Sequence, residues 1–171
     1  MLTPSECWQW NYCQKRDRLL LSLNTELQFC SPFGAAQLVA KPKQQALSIE
    51  EAEVFWAIDL SLQSIDLAEA VRFELCLTGL SCAFLPLLAH KSWHFQQASA
   101  HIIVPYSVVV LRGMSTQHAL VVTTDQDSST CLLLDSITTL SGKVLPRLHV
   151  VRLLNNRISP LTKSDKLRYI A

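Results

Sequence analysis

The stretch Lys91-Ser92-Trp93-His94-Phe95 divides the chain into two unlike halves. Before it the sequence reads as strands followed by helices; after it, as short strands only. The run leading in, Leu75 to Ala89, carries no charged residue. The chain then meets a cation, an indole, an imidazole and a phenyl ring within five residues. Trp93 and Phe95 alternate with Ser92 and His94, as on a strand with two different faces. One reading is a first core strand. The other is a recognition surface at a domain junction, where grooves form. Both stay open, because one face can be core while the other is groove.

Working toward the N-terminus, Asp66-x-x-Glu69 opens a helix that becomes apolar all round and ends at Pro86. Ser48-x-x-Glu51 is a capping box for an earlier helix over about Ile49–Leu62, with Ala52, Phe55, Trp56 and Leu60 inward. Residues 35–47 carry no clear period beyond a Lys41-Pro42-Lys43 loop. Trp8, Trp10 and Tyr12 share one face of a half-buried strand. Leu19, Leu21 and Leu23 share one face of a second, and Leu27 and Phe29 one face of a third. The turns are Gln14–Asp17 and Asn24-Thr25. This is an antiparallel meander with an apolar face that the two helices cover.

Toward the C-terminus, turn signals recur every eight to twelve residues between Ile102–Val104, Val108–Arg112, Ala119–Thr124, Cys131–Leu134 and His149–Leu154. That spacing predicts a small closed or half-closed antiparallel barrel. The tail beyond Pro160 is polar and basic and is expected to fray. The fold class is therefore α+β: an N-terminal α/β domain over 1–89 and a C-terminal, twisted, β-barrel-like domain over 90–171.

The 171 residues are 49% apolar and 17% charged, a globular composition. The net charge of +1 hides an asymmetry. Residues 1–90 hold six Lys/Arg against ten Asp/Glu, net −4, and residues 91–171 hold nine against four, net +5. The second half is the one suited to an acidic partner. No C-x-x-C spacing exists among the six cysteines, and Cys76 and Cys82 sit in an apolar helical run as inert thiols. With no secretory signal and no run long enough for a membrane span, the expectation is a cytoplasmic protein without membrane insertion.

The four glycines are too scattered for a phosphate loop, and the five histidines show no metal spacing. No motif specific to a reaction class appears, so the expectation is a non-enzyme with no cofactor and no metal. A single-stranded nucleic-acid-binding barrel is the alternative, since such barrels combine stacking with basic grooves. The scattered cations and the acidic first half speak against it.

The ordered set of motifs resembles the ZapC family of cell-division proteins. The set comprises Trp8-x-Trp10-x-Tyr12, Asp17-Arg18-Leu19-x-Leu21-x-Leu23, Phe29 and Phe33, Lys91-Ser92-Trp93-His94-Phe95 and Asn155-x-Arg157-x-x-Pro160. The resemblance implies an α/β domain followed by a twisted barrel-like domain, each with a pocket. It implies a cytoplasmic, non-enzymatic partner of FtsZ polymers that bundles them at the midcell division ring and lowers GTP turnover. Lys91 and Arg157 match the basic rim of the family's FtsZ-binding pocket, and Leu21 matches an N-domain position tied to function. Trp93 and His94 of the central motif complete the expected partner-binding set. The pattern departs at Pro86, where the family carries a lysine, and at Asn24-Thr25, where its turn carries a glycine. Bundling requires two contacts. With no heptad seam for dimerisation, the expectation is a monomer with two unlike surfaces.

Overall fold

The computed structural model describes residues 2–91, 94–162 and Asp165. Its architecture is α+β, in two compact units: Met1–Asp59 with Glu69–Leu87, and Leu60–Ala68 with Leu88–Ala171.

In the first unit, β1 (Gln9–Cys13), β2 (Arg18–Ser22) and β3 (Gln28–Cys30) form the expected meander. A fourth strand, β4 (Gln45–Ala46), pairs with β1, so the antiparallel order is β3-β2-β1-β4. Asn24 replaces the missing turn glycine: its Oδ1 accepts from the amides of Glu26 at 2.8 Å and Leu27 at 2.7 Å. At the other hairpin, Asp17 adopts a left-handed φ of 49°. Its carboxylate accepts from the Tyr12 hydroxyl and from the Ala35 amide. Gly34 makes this possible, because a Cβ there would lie 2.9 Å from Asp17 Oδ2.

Helices α1 (Ile49–Leu62) and α2 (Glu69–Ser81) follow. The capping box forms as read: the Glu51 amide donates to Ser48 Oγ at 3.1 Å, and the Ser48 amide to Glu51 Oε2 at 2.8 Å. Glu51 Oε1 also accepts from the Trp10 indole at 2.9 Å, which ties the helix start to β1. Trp8 packs edge-on against Phe55 of α1 and Phe73 of α2, at centroid distances of 5.7 and 6.3 Å. The inward face of α1 differs from the expectation. Phe55, Ile58, Asp59 and Leu62 are buried, while Trp56 is 46% and Leu60 70% exposed. A buried salt bridge explains part of the rotation, since Asp59 meets Arg72 of α2 at 2.8 Å. Asp66 precedes α2 rather than lying in it. At the buried end of α2, Thr78 and Ser81 satisfy their hydroxyls on the carbonyls of Glu74 and Leu77, each at 2.8 Å. A 3-10 turn, Cys82–Phe84, ends the helical run, and Leu85 is extended before Pro86.

The second unit is built on β5 (Val108–Arg112), β6 (Thr116–Thr124), β7 (Ser128–Leu133), β10 (Val150–Leu154) and β11 (Ser159–Pro160). Their antiparallel order is β10-β7-β6-β5-β11, and among the described residues the two edge strands β10 and β11 do not pair with each other, so the sheet stays open. A separate two-residue ladder joins β8 (Ile137–Thr138) to β9 (Val144–Leu145). The core gathers Phe95, Leu111, Val121, Leu133, Leu153 and Ile158 among others. Two expected strands are absent. Lys91–Phe95 is not a strand where it is described, and Ile102–Val104 joins no sheet. Trp93, and the tail residues 163, 164 and 166–171 expected to fray, lie outside the described residues.

All six cysteines are free. Burial pushes the Cys76 and Cys131 thiols up to about 12, and raises Cys82 as well, so these three are un-ionised at neutral pH.

Candidate functional site

The central stretch is a strap held by backbone hydrogen bonds to four separate segments. His90 forms an isolated parallel bridge with Arg152 of β10, and the Lys91 amide donates to the Arg152 carbonyl at 2.7 Å. The Leu140 amide donates to the His94 carbonyl at 3.1 Å. Arg157 Nη1 donates to the Phe95 carbonyl at 3.0 Å. The Gln96 amide donates to the Arg112 carbonyl at 2.8 Å and the Ala98 amide to the Asn156 carbonyl at 2.7 Å. His94 and Phe95 are both buried, so the two-faced alternation expected of a strand gives way to consecutive inward side chains.

Electrostatics make this a basic place. The His94 ring lies within 3.4 Å of Ser141 Oγ, on the loop between β8 and β9. Burial, then the charges of Lys91 and Lys143, hold its pKa below the usual histidine value. His149 is lowered by the same three causes, burial first, then Lys143 and Lys91. Two lysines thus flank two histidines that stay neutral at pH 7. Lys143 and His149 are exposed, and Lys91 is half-buried. The charges acting on both rings are those of Lys91 and Lys143, so the cluster carries fixed positive charge.

The expected site residues therefore fall into different roles. Lys91 belongs to the cluster. His94 is its buried floor. Arg157 is half-buried, and its guanidinium braces the strap. Leu21 is 0% exposed, on β2 between Trp10 of β1 and Phe29 of β3, in the first unit. Its side chain lines the core, not a surface. Lys143 and His149 were missed by sequence reasoning. The signal for Lys143 was the Ser141-Gly142 turn, which presents the next side chain at a loop tip.

A second concave feature of about 620 Å³ lies in the same unit, lined by His90, Ala100, His101, Gln126, Asp127 and Asn156 among others. Among the described residues no cluster of His, Cys, Asp and Glu is arranged to hold a metal ion. No described helix is long and apolar enough to cross a membrane.

Comparison with known proteins bears on the whole chain. Residues 1–86 match the family model for the cell-division protein ZapC, N-terminal, and residues 86–164 the model for its C-terminal part. A relative from Pseudoalteromonas translucida named cell division protein ZapC is 32% identical, the match covering 94% of each chain. One of the same name from Ferrimonas balearica is 30% identical over 99% of this chain and 98% of its own. Another, from Aeromonas hydrophila, is 28% identical over 93% and 92%. With both halves matched in order across nearly its whole length, this chain belongs to the ZapC family of cell-division proteins.

Proposed function

We propose that this chain is a non-enzymatic adapter that binds FtsZ polymers in the cytoplasm, is recruited with them to midcell, bundles them laterally and lowers their GTP turnover. The observation that carries this reading is the match of both family models, in order, to residues 1–86 and 86–164. Lys91 and Lys143, which flank the neutral His94 and His149, support it physically, because the two lysines supply positive charge for docking an acidic polymer surface. Arg157 contributes by fixing the strap that presents Lys91 and His94. Trp93, two residues from Lys91 in the sequence, is proposed as an aromatic anchor for the partner, since tryptophan is a common hot-spot residue. Leu21 contributes through the N-terminal core that holds a second contact. The domains are proposed as 1–89 and 90–171, acting in a monomer.

The test is co-sedimentation with FtsZ polymerised in GTP, beside a titration with single-stranded DNA. Pelleting with polymer and no DNA binding at physiological salt is the expected result. Tight DNA binding without pelleting would replace the adapter with a nucleic-acid-binding protein.

A further inference from the structure

The sequence of Ser99–Val104 has strand character, yet the structure leaves it without a strand partner. The segment runs without a turn or bend from Ala98, bonded to the Asn156 carbonyl, to Val104, where a turn over Pro105 and Tyr106 begins; the Tyr106 amide donates to the Val121 carbonyl at 2.7 Å. Its side chains alternate. His101 and Ile103 are partly buried, with Ile103 packed on the core, while Ala100, Ile102 and Val104 are exposed, Ile102 at 90%. Among the described residues, no backbone N–H of Ser99–Val104 meets a hydrogen-bond partner. The segment is thus an edge strand in all but pairing, with a row of open amides and aliphatic side chains on its outer face.

The groove beside it has the size of a ligand site and is lined by this segment's Ala100 and His101. The His101 Nδ1 lies 3.1 Å from the Ser99 carbonyl, so Nδ1–H donates there and Nε2 is the ring's remaining hydrogen-bonding atom. That Nε2 is buried and has no partner. Asn156 and Gln126 add exposed carboxamides, which match backbone amides. Asp127 is the carboxylate of its lining, and among the described residues no Lys or Arg lines it, unlike the basic cluster around His94.

From these observations we propose that Ser99–Val104 and its groove form a peptide-binding site. An extended partner segment, uncharged and aliphatic at alternate positions, is added there as a β-strand. Main-chain pairing supplies affinity, Ile102 and Val104 select aliphatic residues, and His101 Nε2 accepts one peptide N–H. This site is separate in chemistry from the docking of an acidic polymer.

The probe is a fluorescein-labelled heptapeptide alternating valine and threonine, titrated into the full-length protein by anisotropy. Saturable binding is expected, with amide perturbations by NMR confined to Ser99–Val104, Gln126–Asp127 and Asn155–Asn156. Methylating alternate peptide nitrogens, which removes strand pairing but keeps the side chains, is expected to weaken binding at least tenfold on the unaltered protein. Ile102→Pro removes an N–H with no partner among the described residues, and is expected to cost a similar factor with an unchanged melting temperature. The proposal is overturned by the absence of saturable binding up to millimolar peptide. Equal binding of the methylated peptide, or perturbations elsewhere on the chain, would also overturn it. So would self-association of the unmixed protein that Ile102→Pro abolishes, since the occupant would then be a second copy.

Discussion

Single residues here carry roles that their types alone do not announce. Leu21 shows this most directly. With its side chain fully buried between Trp10 and Phe29, Leu21→Ala removes core contacts and is expected to cost roughly 2–5 kcal/mol. Urea unfolding measures that loss. Leu21→Met, which keeps volume, should keep both stability and bundling. A stable Leu21→Ala that fails to bundle would instead require Leu21 to reach a partner. The cations need the same care. Lys143 is exposed, so Lys143→Glu should leave the melting temperature almost unchanged. Its co-sedimentation with FtsZ should weaken, and the deficit should grow as salt falls and repulsion is less screened. Arg157→Glu is a poorer probe of charge. It removes the brace on the Phe95 carbonyl, about 1.5–3 kcal/mol for a hydrogen bond from a charged group, discounted because Arg157 is partly exposed. Titration gives a further residue-scale expectation. His94, His118 and His149 are all held below the usual value, burial being the first cause in each. A group whose folded pKa is lowered binds its proton more readily unfolded, so stability falls as pH drops through the unfolded value of about 6.5. Asp17, Asp125 and Asp165 are lowered as well, but theirs is lost only below the ordinary carboxylate range, about 4. Thermal melts should therefore decline between pH 7.5 and 5, with a shallower slope for His118→Gln. A flat profile across that window would mean these rings are not protected in the fold.

Among the elements, α1 shows how much was legible and where legibility stopped. Its start was readable because a capping box is local chemistry, complete within Ser48–Glu51. That the same Glu51 also satisfies the Trp10 indole was not, because the partner lies on β1. The consequence is measurable. Ser48→Ala should cost about 1 kcal/mol, as for a lost N-cap. Glu51→Ala should cost about 1–3 kcal/mol more, since it also strands the N–H of a buried indole. Equal losses from the two substitutions would show that the Trp10 bond contributes nothing. The inward face of α1 was misjudged for a similar reason. The apolar pattern admits Trp56 and Leu60 as readily as Ile58 and Leu62, and a salt bridge from Arg72 to Asp59 favours the second pair. In the second unit, Val108–Arg112 was read to its ends because turn signals bracket it. The central strap was not, since its hydrogen bonds go to β5, β10, the β8–β9 loop and the Asn155–Arg157 turn, partners between 16 and 62 residues away. The basic cluster was legible only through Lys91 and His94; Lys143 and His149 come from segments that only the fold assembles.

At the scale of the molecule, bundling poses a problem of connectivity as well as of contacts. The chain leaves the first compact unit at Asp59, returns at Glu69 and leaves again at Leu87, so three crossings join the units. A fragment beginning at residue 90 would lose Ser61, whose hydroxyl accepts from the Val108 amide at 3.0 Å, and the buried Ile65. Its failure to bundle would then be ambiguous between a missing surface and a damaged fold. Substitutions in the full chain avoid this. The second contact of a two-surface monomer must be exposed, which Leu21 is not. Trp56 is the large aromatic that α1 leaves at the surface, with Glu50 and Glu53 also exposed on that helix. Tryptophan is among the residue types enriched at interface hot spots, which makes Trp56 the side chain to test. Trp56→Ala should therefore keep co-sedimentation with FtsZ and lose light scattering from bundles. Lys91→Glu combined with Lys143→Glu should lose both, because a chain that cannot dock cannot bridge. Sedimentation equilibrium across micromolar concentrations should give the mass of one chain. A stable dimer would supply two copies of one surface and make a second kind of contact unnecessary. In that case Trp56→Ala would lose bundling only if it also halved the mass. A monomer whose Trp56→Ala variant bundles normally would move the second contact off α1 and refute this assignment.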